Sequence, residues 1–179
     1  MMKLHATTIV GLVYKGQAAM AGDGQVTFDD QILKTKAVKI RKMYNGKILA
    51  GFAGAAADAL ALYELFEKKI EEYNGNLPKA SVELAKEWRT DKTLQKLEAV
   101  IAVASKEHIF LISGNGDVVE PDDGIVAIGS GGGYALSAAR ALIYANPKMT
   151  ADKIAEKSLE LAAEICVFTN KNISVESIK

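Results

Sequence analysis

The stretch KAVKIRKMYNGKILAGFAG, residues 36–54, decides how the chain is built. Across Lys36–Tyr44, Val38, Ile40 and Lys42 alternate with Ala37, Lys39 and Arg41, a period of two that predicts a half-exposed strand. Asn45-Gly46 is the strongest short hairpin signal, because both residues tolerate positive φ, and Ile48–Gly54 is the strand it returns. The period then becomes helical. Ala59, Leu62, Leu65, Phe66, Ile70 and Tyr73 share one face, and Asn74-Gly75-Asn76 closes the helix. A second amphipathic helix follows from about Lys79 to Arg89, its pattern traceable as far as Leu97.

Outward from this unit the same signals recur. On the N-terminal side, Thr7–Tyr14 and Gln17–Gly22 read as strands joined at Lys15-Gly16, and the polar segment Asp23–Lys34 reads as a loop. On the C-terminal side, Val100–Ala104 and Ile109–Ser113 are strands, with a Gly114-Asn115-Gly116-Asp117 turn and a short return to Glu120. Ile125–Ile128 is a further strand, and Gly129-Ser130-Gly131-Gly132-Gly133 leads it into a helix over Tyr134–Ala145. Pro147 ends that helix, Thr150 caps the next, which is expected to run to about Phe168, and Ile173–Val175 is a terminal strand. Strands, two helices, strands, two helices is not the alternation of a doubly wound parallel sheet. The order predicts an α+β fold, a four-layer αββα sandwich of two antiparallel sheets flanked by helix pairs. At 179 residues, with no internal repeat or linker, the chain is read as one domain.

Composition narrows the function. Lys plus Arg and Asp plus Glu both number 22, so net charge is zero and there is no bulk electrostatic motive for nucleic-acid or anionic-membrane binding. Cys166 is the only cysteine, which fits a reducing compartment, and with His5 and His108 it cannot supply a structural zinc set. The N-terminus makes a poor signal peptide and no run approaches the roughly 20 apolar residues of a membrane span, so a cytoplasmic location is expected.

Most candidate motifs have an ordinary reading. The 129–133 glycine run fails the dinucleotide spacing, because Tyr134 stands where the third glycine would be. His108 lies in a polar hairpin tip, and Cys166 is placed on the apolar stripe of the last helix with Leu159 and Ala162, a packed thiol. Asp29-Asp30 and Asp122-Asp123 read as turn residues. What remains is Thr7-Thr8 at the first strand, Gly22-Asp23-Gly24 after the second, Lys39 in the third and Gly51 in the fourth.

In that order these residues resemble the N-terminal-nucleophile peptidases of the proteasome type. The longer segments are similar to the HslV (ClpQ) family: TTIV at 7–10, AGDGQVT at 21–27, AGFAG with ADA within 50–59, LYELFEKK at 62–69, ASVELAKEWRTDK at 80–92, SGNGDV at 113–118, AIGSGG at 127–132 and EICVFTN at 164–170. The resemblance covers essentially all of the chain from Thr7 onwards. It implies the N-terminal-nucleophile hydrolase fold and a threonine peptidase that needs no histidine. Thr7, freed at its amino group, would be the nucleophile and its α-amine the base. Lys39 would sit beside Thr7, Asp23 would pair with or position Lys39, the Gly51 N–H would serve the oxyanion hole, and Ser130 would bond near the Thr7 amine. A monovalent cation, usually sodium, is implied at the backbone carbonyls of Ala163, Cys166 and Thr169. The first of these is commonly Gly in relatives. The resemblance also implies a dodecamer of two stacked hexamers fed by an HslU-type hexameric ATPase. Residues 1–6, ahead of Thr7, are read as a short propeptide, with 7–179 as the peptidase domain. A catalytically silent ring subunit and a small-molecule amidase on the same fold are the competing readings.

Overall fold

The computed structural model describes residues 4–5, 7–54, 56–97 and 99–179. One sheet is formed by β2 (Thr8–Tyr14), β3 (Gln17–Asp23), β11 (Ile125–Gly129) and β12 (Ile173–Ile178), in the order β11-β2-β3-β12. The other contains β6 (Ile40–Met43), β7 (Ile48–Gly54), β8 (Ala99–Ala104), β9 (Ile109–Ser113) and β10 (Val118–Val119), in the order β10-β9-β8-β7-β6. Every described strand pair in both is antiparallel. Helices α1 (Ala56–Glu72) and α2 (Leu77–Thr90) cover the five-stranded sheet, while α3 (Gly132–Ala145) and α4 (Ala151–Ala163) cover the four-stranded one.

The period of two creates the layers. In β7, Ile48, Ala50 and Phe52 join Leu62, Phe66, Ile70, Leu84 and Trp88 under α1 and α2, while Leu49 turns to the other sheet. In β2 and β3, Val10, Leu12, Ala19 and Ala21 face α3 and α4, whereas Ile9, Ala18 and Met20 face inward. The predicted sandwich is thus present, with one core between the sheets and one under each helix pair. Asn45 and Gly46 take φ of 55° and 77°, both positive as a tight hairpin turn requires, and Lys47 N donates to Tyr44 O at 3.1 Å. Gly75 ends α1 with φ 78°, its N–H reaching back to Ile70 O at 2.8 Å.

Three boundaries differ from the expectation. The segment read as a polar loop contains β4 (Val26–Phe28) and β5 (Gln31–Lys34), which form a small sheet with β1 (Leu4–His5) in the order β1-β4-β5. These strands are short and β5 is exposed throughout, so no buried face imposes an alternation that could be read. Lys36–Lys39 is not in a ladder, and β6 begins only at Ile40. The last helix stops at Ala163, well before Phe168, where Ile165 N and Cys166 N both turn back to Ala162 O. Cys166 therefore sits on a turn and not on the helical stripe, though it remains buried, while Ile165 and Val167 point to solvent. No glycine or proline marks that helix end, so the apolar period overran it.

At Gly51 there is no room for a side chain between the sheets. A β-carbon there would lie 2.6 Å from Met20 Sδ and 3.0 Å from Ile9 Cδ1 and Cγ2. Gly51→Ala should lower stability by about 1–3 kcal/mol through overpacking. Combined with Met20→Ala, the loss should be smaller than the two single losses added. Thermal midpoints at one fixed protomer concentration check this.

Candidate active site

The β2–β3 hairpin brings the two ends that matter together. Ile9 pairs with Gly22, which leaves Thr7-Thr8 and Asp23 side by side where the hairpin opens. Asp23 is fully buried, and as a carboxylate it can only accept hydrogen bonds. Four donors meet it: Oδ1 accepts from Thr8 N at 2.8 Å and Lys39 Nζ at 2.7 Å, and Oδ2 accepts from Gln25 N at 2.9 Å and Asn170 N at 3.3 Å. Lys39 Nζ also donates to Gln25 O at 2.6 Å. Its side chain is 8% exposed, so Lys39 is a buried lysine. Burial lowers the Lys39 pKa from its ordinary 10.5, and the charge and hydrogen bond of Asp23 oppose that shift without overcoming it. An ammonium carries three N–H donors, and the described residues engage two.

The glycine run closes the other side. Gly129 has φ 86°, and a β-carbon on it would stand 1.8 Å from Thr7 O, so only glycine fits. Ser130 N donates to Thr7 O at 3.0 Å. Gly131 N, at the start of α3, donates to Thr8 Oγ1 at 2.9 Å, and Thr8 Oγ1 lies 2.7 Å from Thr169 Oγ1. The run that fails as a dinucleotide loop instead wraps the main chain of α3 around Thr7-Thr8. Thr7 itself is buried, whereas Ser130 is exposed.

Gly51 stands apart from the free amides. It pairs with Ile40 on β6 and Ala102 on β8, so its N–H lies inside the ladder, and its Cα faces the inter-sheet core. With a strand on each side of it, Gly51 does not lie on an open edge of the sheet. Beyond Gly51, β7 continues over Phe52–Gly54 with β8 on one side and, among the described residues, no strand on the other.

Ala163, Cys166 and Thr169 fall at the end of α4 and in the turn after it. The Cys166 carbonyl accepts Thr169 N at 3.0 Å, which leaves a second lone pair. Carbonyl oxygens at a helix C-terminus, the negative end of its dipole, are chemically suited to a small hard cation. His108, by contrast, pairs with Glu120 at 2.8 Å and stacks on Phe110, in the β8–β9 turn remote from Thr7.

Sequence reasoning passed over several contributors. Gln25 Nε2 donates to Thr27 Oγ1 and Val167 O, each at 2.9 Å. Asn170 Oδ1 accepts Gly24 N at 3.2 Å while its Nδ2 donates to Thr35 O at 2.9 Å. Both lie inside segments that carry the resemblance, yet Val167 stands 142 residues from Gln25 and Thr35 stands 135 residues from Asn170, and no local period points to them.

A sequence profile of the proteasome subunit family matches residues 3–178. The chain is 58% identical over 179 residues to the ATP-dependent protease subunit HslV of Oceanobacillus iheyensis, covering 99% of each chain. It is 57% identical over 181 residues to the ATP-dependent protease subunit ClpQ of Bacillus subtilis, covering 100% of each. The crystal structure of eukaryotic HslV from Trypanosoma brucei superposes with a TM-score of 0.90 at 44% identity, over 96% of this chain and 99% of that one.

Asp23→Asn would leave the Lys39 ammonium buried without a counter-charge. We expect a loss of about 3–5 kcal/mol at neutral pH, read as a fall in the thermal midpoint. The loss should shrink as pH rises. A lysine whose folded pKa lies below its unfolded value sheds its proton first in the folded state, so stability recovers between the two values.

Proposed function

The chain belongs to the proteasome subunit family, and from that membership we propose that it is the peptidase subunit of a two-component ATP-dependent protease, with Thr7 as its nucleophile. The observation that carries the assignment of roles is the shared oxygen. Thr8 N and Lys39 Nζ meet at Asp23 Oδ1, so the ammonium stands one residue from Thr7.

In this mechanism Thr7 Oγ1 attacks the scissile carbonyl of an extended polypeptide, and its proton passes to the Thr7 α-amine. Unperturbed α-amines titrate near pH ~7.7–8.0, close enough to neutrality to accept a proton and return it. The Lys39 ammonium favours the neutral amine and the forming alkoxide, and Asp23 holds the ammonium in place. The tetrahedral oxyanion is met by an amide on the open edge of β7 beyond Gly51, where one preorganised donor is worth about 3 kcal/mol. Collapse expels the amine product with the proton returned by the α-amine, and water then hydrolyses the Thr7 ester.

While residues 1–6 are attached, the Thr7 nitrogen is an amide whose lone pair is delocalised, and it cannot act as base. Release proceeds by attack of Thr7 Oγ1 on the Ala6 carbonyl, transfer of the acyl group from nitrogen to oxygen, and hydrolysis of the ester. Residues 1–3 and Ala6 lie outside the described residues. Ser130 is assigned beside the freed amine, its N–H already on the Thr7 carbonyl. The carbonyls of Ala163, Cys166 and Thr169 would hold a sodium-type cation. They belong to the turn whose Thr169, Val167 and Asn170 brace Thr8, Gln25 and Asp23. The working form is a cytoplasmic dodecamer of two stacked hexamers, onto which an HslU-type hexameric ATPase docks and feeds unfolded polypeptide. Among the described residues no helix is long and apolar enough to cross a membrane.

Intact mass and peptidase assays test the chemistry. The active chain should begin at Thr7. Thr7→Ala should remain uncleaved and inactive, whereas Thr7→Ser should keep part of both activities, having the hydroxyl without the methyl that restricts its rotamer. Full-length chain hydrolysing peptides as fast as processed chain would refute the assignment. Light scattering tests the assembly, which should weigh about twelve protomers by closed ring symmetry. A monomer at micromolar concentration would refute it. Lys39→Ala should abolish hydrolysis in rings of unchanged mass.

A further inference from the structure

We infer that Tyr63 is a positioning residue for Lys39: its phenol holds the lysine's main chain, and through it the ammonium, in place beside Thr7. The inference rests on the assignment of Lys39 to catalysis made above. The ammonium end of Lys39 is fixed by Asp23 Oδ1 and Gln25 O. Its backbone end is not fixed by a sheet, because residues 36–39 lie outside any ladder. Among the described residues, two hydrogen bonds hold the main chain of that segment: Ala37 N donates to Gly24 O at 2.9 Å, and Tyr63 Oη donates to Lys39 O at 2.8 Å. Only the second acts on Lys39 itself. A lysine has a flexible four-carbon stem, so its ammonium is placed only as well as both of its ends are.

Tyr63 is built for this task. It projects from α1 and is 5% exposed. Its ring is tilted against Phe52, with centroids 6.2 Å apart at 51°, and the Arg41 guanidinium lies 4.7 Å from its centroid. A second acceptor, Ala50 O, lies 3.4 Å from the hydroxyl. Packing needs only the ring, so the hydroxyl is a buried polar group whose one short bond is to Lys39. Burial raises the phenol pKa well above its usual value, so the hydroxyl is protonated at neutral pH and can donate. The groups facing Lys39 are Asp23 from β3, Tyr63 from α1 with Arg41 of β6 over its ring, and the Thr7 amine once it is free.

Tyr63→Phe in the processed assembly keeps the ring and removes only the donor. We expect kcat to fall about tenfold with KM changed less than about twofold, since a small misplacement of a reacting group is costly. Burial dominates the lowering of the Lys39 pKa, so a loosened, better-hydrated ammonium should also move the alkaline limb of the kcat profile to higher pH. The thermal midpoint and assembly mass should stay near wild type. Wild-type kcat, or a fall in kcat without movement of that limb, overturns the inference. Lys39→Ala measured in parallel separates the two claims. Turnover surviving in Lys39→Ala overturns the assignment of Lys39 and this inference with it. An inactive Lys39→Ala beside a wild-type-like Tyr63→Phe overturns the role of Tyr63 alone.

Discussion

The Asp23 carboxylate, buried at the open end of the β2–β3 hairpin, is the group on which the arrangement around Thr7 depends. A buried charge is tolerable only when it is paired and hydrogen-bonded. Here the donors come from four separate parts of the chain: the start of β2, the lysine ahead of β6, the residue ahead of β4 and the turn after α4. Satisfying one carboxylate therefore aligns all four. The burial that lowers the Lys39 pKa is not fully offset by Asp23, so the pair does not read as a stabilising device. It stands instead where Thr8 N shares Asp23 Oδ1 with the ammonium, one residue from Thr7.

That cost is carried by large cores. Trp88, Phe66, Leu62 and Leu84 are fully buried beneath α1 and α2, and Leu12, Ile154 and Leu159 beneath α3 and α4. Each such side chain contributes roughly 1.5–3 kcal/mol of transfer free energy. Between the sheets the layer is thinner. Ala18, Ala102, Ala104 and Gly51 let Ile9, Met20 and Ile40 interlock.

The layers were legible wherever an element carries an apolar run or stripe that a core receives. Residues 36–54 carry an alternating run, a turn signal and a continuous apolar run, and both strands appear, although the first is trimmed to Ile40–Met43. Where an element has little or no buried face, no such signal exists. β5 reads as loop because nothing in Gln31–Lys34 is buried. The last helix was overextended because Ile165 and Val167 continue the apolar period, yet the structure leaves them in solvent. Apolar residues spaced for a helix say nothing of whether a core is present to receive them.

Taken alone, the order and period of the elements determined the four-layer sandwich, and the TTIV, AGDGQVT and AIGSGG segments pointed to Thr7, Asp23 and Ser130, with Lys39 singled out by its place in the strand that follows. These are local signals, or signals that survive as strings. Tertiary structure decided the rest. Gly51 lies within the ladder and not at an open amide, Gly129 makes room for the Thr7 carbonyl, and Gln25, Tyr63, Thr169 and Asn170 belong to the supporting shell. Each of these facts depends on a partner distant in sequence. A hydrogen bond is satisfied by whatever the fold brings within about 3 Å, and no period along the chain encodes that meeting.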